Sequence, residues 1–361
     1  MSNFYPKLKV LTPKIHSLSN YYLEQLWTAV EAYGIEVSQL EWTQSLYTLY
    51  KEPRKGNVCH FHWVHELCSL GKVKNPETWK SLLSSSLKLC ILKSKGYQIV
   101  WTVHNTLSHE CSAPKLEQYF RWLLNYICDD VVVMSQHSQQ EFNRIYGRTS
   151  RVHVIPHGNY IGVYPNQITR EEARQKLGIT SEQKVILHFG RIMKYKGTSD
   201  LIASFNRLSD PKALLVIAGT CQDAKLLHEL ESAASLNPKI FLMLDFVPDT
   251  EVQVYMNACD WVVLPFRKIL NSGSVMLALS FGKPVIVRQN GSISEFINDG
   301  IQGFSYYDHF KLINVLNRSL ELSSNQWEKM CNNALKTAQE HDWPTIGLKL
   351  SQIYKEGKIK H

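Results

Sequence analysis

The chain is 361 residues long, with 40 Lys and Arg against 32 Asp and Glu (net charge +8); 44% of its residues are hydrophobic and only 20% charged. This composition belongs to a folded globular protein and excludes a disordered or collagenous one. At roughly 100–200 residues per domain, the length allows about two domains, each able to bury its own core.

The longest apolar runs, such as Ala213–Ala218 (ALLVIA), fall far short of the roughly 18 residues that span a bilayer. The N-terminal MSNFYPKLKVLTPK lacks the apolar stretch of a signal peptide, so a cytoplasmic protein is expected. Eight scattered cysteines with no Cys-x-x-Cys pair are expected to be reduced thiols. Residues 1–160 carry 17 basic against 12 acidic side chains and residues 161–361 carry 23 against 20. With no basic stripe, a nucleic-acid partner is not expected, whereas attraction to phosphates or an anionic membrane surface is compatible with the charge.

Short β-rich apolar runs alternate with helical-period stretches, the pattern of βα units and parallel sheets. In chain order the pattern predicts strands near 8–11, 36–40, 58–61, 98–103, 130–134 and 152–155. A second series follows near 184–189, 214–218, 240–244, 261–264 and 284–287. Between the series, PHGNYIGVYPN (Pro156–Asn166) carries two prolines and two glycines without a clear period and reads as a linker. The expected architecture is α/β, with two doubly wound, Rossmann-like parallel sheets facing a cleft. The expected boundaries are 1–157 for the first domain, 158–170 for the linker, 171–343 for the second domain and 344–361 for a C-terminal helix that packs back toward the first.

Three stretches carry chemistry. KVILHFGRIMKYKG (Lys184–Gly197) is a buried-type strand that ends at Gly190 and is followed by Arg191 and Lys196, an arrangement suited to neutralising a diphosphate. Ser272-Gly273-Ser274 opens a helix whose free N–H groups and positive dipole end can hold phosphate oxygens. In the first half, TVHN closes a strand and places His104 and Asn105 at its end.

HFGRIMKYKG, ACDWVVLPF, LSFGKPVIV and GSISEFINDGIQG, in this order and spacing, resemble the C-terminal half of the GT-B glycosyltransferases of the group-1 family, which includes glycogen and sucrose synthases. The resemblance implies a glycosyltransferase that moves a sugar from a nucleotide-diphosphate donor to a glycan or lipid-linked acceptor, in polysaccharide or glycolipid synthesis. It implies Gly190, Arg191, Lys196, Ser272, Gly273 and Ser274 as diphosphate ligands, with Asn105, Asn271 and Glu295 as further donor or cleft residues. It places His104 beside the donor sugar as the catalytic candidate. No metal or other cofactor is expected, since the protein's own cations do that work, and peripheral contact with the inner face of a membrane is compatible with a lipid-linked acceptor. Where the family has a Glu-x7-Glu pair, this chain has Ile269 and Leu277. Ribose recognition is therefore unassigned and the stereochemistry open between retention and inversion. The alternatives are a non-catalytic nucleotide-sugar-binding or partner subunit, or another enzyme of this architecture such as an epimerase or phosphorylase.

Two further stretches invite other readings. CHFHWVHELC (Cys59–Cys68) is rich in metal-ligand types, but neighbouring strand side chains alternate between faces, so a zinc site is not expected; His62 and His65 are candidates for lining the cleft. In the helix from Trp79 to Lys95, Trp79, Leu82, Leu83, Leu87, Cys90 and Ile91 share one face, with the lysines outside it. That stripe is expected to pack on the sheet rather than lie on a membrane.

Overall fold

Runs of β-branched and apolar residues build the strands, and several, such as DVVV at 130–133 and ALLVIA at 213–218, are buried at every position. Such runs mark parallel sheets covered by helices on both faces. The computed structural model describes residues 8–13, 21–68, 76–105, 113–267, 273–308 and 311–358. The chain divides into two compact units, Met1–Pro156 with Trp343–His361, and His157–Asp342.

The first unit holds β1 (Lys9–Pro13), β2 (Glu36–Leu40), β3 (Val58–Phe61), β4 (Gln98–Thr102), β5 (Asp130–Val133) and β6 (Val152–Val154). They form a parallel sheet in the order β2-β1-β3-β4-β5-β6. The helix Trp343–Lys358 packs in this unit. There Gln98 Nε2 donates to the Ile353 carbonyl at 3.1 Å and Tyr33 OH to that of Pro344 at 2.9 Å. A Cβ on Gly347 would come within 2.5 Å of the Ala29 carbonyl oxygen, so glycine is what lets this helix lie against the helix Tyr21–Glu31.

The second unit holds β7 (Lys184–Phe189), β8 (Ala213–Ala218), β9 (Ile240–Met243), β10 (Trp261–Leu264), β11 (Val285–Arg288) and β12 (Gly303–Tyr306), ordered β12-β11-β10-β7-β8-β9 and again parallel. β12 is absent from the sequence reading. It starts at a glycine whose Cβ would clash with Val285 O at 2.0 Å, so a residue that reads as a turn is instead required for strand pairing. The stretch read as a linker is packed within this unit. Asn159 N donates to the His341 carbonyl at 2.9 Å and Tyr160 N to Ser280 Oγ at 2.8 Å.

The apolar stripe from Trp79 corrects a second expectation. The helix Pro76–Ser94 buries Leu82, Ser85, Lys88, Leu89 and Leu92, whereas Trp79, Leu83, Leu87 and Cys90 are exposed. Polar groups turn inward because buried carbonyls need donors. Ser85 Oγ donates to Leu67 O at 2.8 Å and Lys88 Nζ to Trp42 O at 2.5 Å.

Candidate active site

In the second sheet β7 lies beside β10, and the chain leaves these two strands toward opposite sides. Ligands of open α/β sheets bind at such a switch point, outside the carboxyl ends of the strands. β7 ends in Phe189, and Gly190 follows with φ 102°, a conformation that disfavours any side chain. The next turn, Lys194–Lys196, closes at Gly197 with φ 73°. A Cβ there would meet Pro265 O at 2.4 Å, so glycine permits the turn to lie against the end of β10.

This backbone brings three of the sequence-assigned residues together. The point where a Cβ on Gly190 would sit is 3.7 Å from Lys196 Nζ and 3.9 Å from Ser274 Oγ. Lys196 is buried, its Nζ 5.5 Å from the Phe266 ring centroid. Burial, and next the charge of Arg191, lower its ammonium to about 8. Arg191 itself is exposed, and its Nη2 donates to Gln222 Oε1 at 2.9 Å.

Beneath the turn, buried His188 donates from Nδ1 to Val263 O at 2.8 Å, which leaves Nε2 to accept from Thr198 Oγ1 at 3.1 Å. Burial holds His188 at about 4, so it ties β7, β10 and the start of the helix Thr198–Phe205 as a neutral ring. Sequence reasoning passed over it, although an inward-pointing His in an otherwise apolar strand was the signal.

The helix Gly273–Ser280 begins beside this point. Asn271 and Ser272, assigned from sequence, lie outside the described residues, as does Ile269. A Cβ on Gly273 would lie 3.1 Å from Tyr160 OH and 3.5 Å from His157 Nε2, so these two side chains flank the helix start. Neither was singled out in the sequence, where both sit in the stretch read as linker. His157 donates from Nδ1 to Gly158 O at 2.7 Å, and burial holds it near 4. Leu277 faces the apolar core and takes no part at the surface of the site. Glu295 is exposed on the short helix Ile293–Phe296 after β11.

In the first unit, His104 and Asn105 follow β4 as read from the sequence. His62 Nδ1 and His104 Nε2 share a hydrogen bond of 3.0 Å, and Trp63 stacks on His104 with centroids 4.1 Å apart at 12°. Behind them His60 bonds Tyr354 OH at 2.5 Å and Thr102 Oγ1 at 2.8 Å. The Asn105 carbonyl accepts from Arg121 Nη1 at 2.7 Å. His60 and His62 of CHFHWVHELC are thus engaged with side chains of other elements. Among the described residues no group of three or more His, Cys, Asp or Glu side chains is placed to hold a metal ion.

Two Rossmann-like parallel sheets, one with Gly190, Lys196 and Ser274 gathered at its switch point, make up the GT-B architecture. The sequence matches "Glycosyl transferases group 1" over residues 169–341 and "Glycosyltransferase Family 4" over residues 77–159. The chain belongs to the group 1 glycosyltransferases, enzymes of hexosyl transfer in glycan or glycolipid synthesis. It is 26% identical over 354 residues, 95% of this chain and 90% of the relative, to a GDP-mannose:glycolipid 4-beta-D-mannosyltransferase of Xanthomonas campestris. Its fold is that of sucrose-phosphate synthase from Thermosynechococcus elongatus (TM-score 0.77, 16% identity, 98% and 100% of the two chains). HepE of Anabaena, solved with UDP and glucose, has the same fold (TM-score 0.74, 19% identity, 96% and 98%).

Proposed function

We propose that the enzyme transfers a hexose from a nucleoside-diphosphate donor to a hydroxyl of a lipid-linked saccharide, working in peripheral contact with a membrane. The observation that carries the donor assignment is the cradle over Gly190, flanked by Lys196 and Ser274. A diphosphate there meets the Lys196 ammonium and the N-terminal end of the helix Gly273–Ser280, with Arg191 at the rim. These groups stabilise the charge that develops when the bond from the anomeric carbon to the phosphate oxygen breaks, and no metal is assigned to that task. His104 is assigned to the reacting sugar or hydroxyl.

The likeness to the glycolipid mannosyltransferase supports a GDP-mannose type of donor, a lipid-borne acceptor and a β-linked product. From an α-linked nucleotide sugar, a β product requires inversion. Leu277, standing in the core where the family carries a glutamate, fits a site that does not use the paired carboxylates. No helix among the described residues is long and apolar enough to cross a membrane.

Thermal unfolding with GDP-mannose, UDP-glucose and ADP-glucose tests the donor assignment. Ligand at about 100 times its Kd stabilises the folded state by about 2.7 kcal/mol, so one donor should raise Tm by several degrees and Lys196→Ala should abolish the rise. Equal shifts in wild type and variant would refute the site.

A further inference from the structure

Three helices packed together in the first unit turn aromatic and aliphatic side chains outward. The helix Pro76–Ser94 packs against both Leu46–Lys51 and Pro114–Ile127. On it, Trp79 (62% exposed), Leu83 (63%) and Leu87 (44%) recur at every fourth residue. On the helix Pro114–Ile127, Tyr119 (60%), Trp122 (47%) and Tyr126 (87%) do the same at spacings of three and four. Tyr47 and Tyr50 extend the strip onto the third helix. Such spacing places each set on one helical face, and eight large exposed side chains on three packed helices are not the scattered apolar exposure of an ordinary surface.

Among the described side chains of these helices, the exposed charges have one sign and belong to Lys51, Lys80 and Lys115. Glu117 is buried against Arg121, 2.6 Å away, and Lys93 is paired with Asp129. Trp and Tyr, with an apolar body and a polar edge, suit the boundary between lipid headgroups and chains, and lysine suits anionic headgroups. A protein partner of the usual kind would be met by a mixture of charges at the rim.

We propose that the outward face of these three helices is the surface by which the enzyme lies on an anionic lipid bilayer. The proposal rests on the reading of a lipid-linked acceptor given above and adds to it which face meets the lipid. Trp79, Trp122 and Tyr126 enter the interface while Lys80 and Lys115 hold headgroup phosphates.

The test is flotation of the full chain with vesicles of phosphatidylglycerol and phosphatidylcholine, or of phosphatidylcholine alone. Wild type should float with the anionic vesicles and be released by high salt. The triple variant Trp79→Ser, Trp122→Ser, Tyr126→Ser should lose at least tenfold in vesicle affinity. Lys80→Glu with Lys115→Glu should lose binding to the anionic vesicles. A control pair in the second unit, Leu236→Ser with Phe246→Ser, should bind as wild type does. Unchanged circular dichroism and melting of each variant, with an unchanged donor-induced rise in Tm, would show that fold and donor site are intact. Wild type that floats with vesicles while the triple variant does so equally would overturn the face. Wild type that floats with neither vesicle would overturn the membrane reading itself. A wild-type dimer in sedimentation velocity that the triple variant converts to monomer, without vesicle binding, would assign the strip to a second copy of the chain.

Discussion

His62 Nδ1 lies 3.0 Å from His104 Nε2, and Trp63 covers the face of the same His104 ring. The two histidines come from the ends of neighbouring strands, β3 and β4, so the parallel pairing of those strands sets their meeting. His62 is buried, and burial together with the nearby His60 ring keeps its pKa far below the ordinary imidazole value. The partner that orients His104 is therefore an uncharged ring throughout the working pH range.

If His104 acts on the reacting sugar, His104→Ala lowers the transfer rate by about 10²–10⁴. His62→Phe removes the orienting bond while keeping an aromatic volume and should lower kcat by tenfold or more. His62→Asn, whose side-chain nitrogen takes the place of Nδ1, should recover most of it. Steady-state kinetics on the three variants, with donor KM unchanged, checks the order. Equal rates for His62→Phe and wild type would remove His62 from the mechanism.

Acid should unfold the protein through its buried histidines. His60 is lowered to about 3, and His157 and His188 to about 4, each chiefly by burial. Each binds a proton in the unfolded chain near pH 6.5 but not in the folded one, so stability is full above pH 6.5 and falls as pH drops toward 4. Each such group contributes a slope of about 1.4 kcal/mol per pH unit in that window. Denaturant melts between pH 7 and 4.5 should show this decline, with a smaller slope in any stable His188→Gln variant.

Donor binding should weaken as the solution becomes alkaline. Free Lys196 titrates near 8, and a diphosphate favours its charged form, so above pH 8 binding must take up a proton. Calorimetry in buffers of different ionisation enthalpy should detect that proton at pH 8.5 and not at pH 6.5. Without donor, the same depressed value means that stability rises between about pH 8 and the ordinary lysine range, because there the unfolded state holds the proton.

Filling the cradle should abolish donor binding. A Cβ on Gly190 would reach within 3.7 Å of Lys196 Nζ, and the positive φ adds backbone strain of about 1–3 kcal/mol. Gly219 is stricter still, since a Cβ there would sit 2.4 Å from Gly190 O and push the cradle floor aside. Both Gly190→Ala and Gly219→Ala should lose the donor-induced rise in Tm and some stability in the absence of ligand, the second losing more stability because its Cβ also meets backbone.

Asp260 is a fold determinant. Its carboxylate pairs with Arg174 at 2.9 Å and with Arg170, and accepts the Val185 N–H at 2.7 Å, tying β7 to the helix Arg170–Lys176. Asp260→Ala leaves Arg174 buried and uncompensated and should cost about 3–5 kcal/mol in chemical denaturation. Retention of wild-type stability would show that the arginines find other partners.

The sequence by itself determined the local frame of this protein. Continuous apolar runs such as ALLVIA, bounded by turn residues, read as interior strands of parallel sheets, and Gly190 at the end of β7 followed by Lys196 puts the residues of the proposed donor site in one stretch of chain. What only the tertiary structure decided involves partners far apart in sequence. Ser274 joins Lys196 because β10 lies next to β7, and His157 and Tyr160 reach the helix start at Gly273 from a stretch that reads as a linker. The helix Pro76–Ser94 shows the same division. Its periodicity fixed a stripe, but the carbonyls of Leu67 and Trp42 drew Ser85 and Lys88 inward and left Trp79 and Leu83 in the open. Periodicity gives the faces of a helix, and the unmet hydrogen bonds of its neighbours choose which of them is buried.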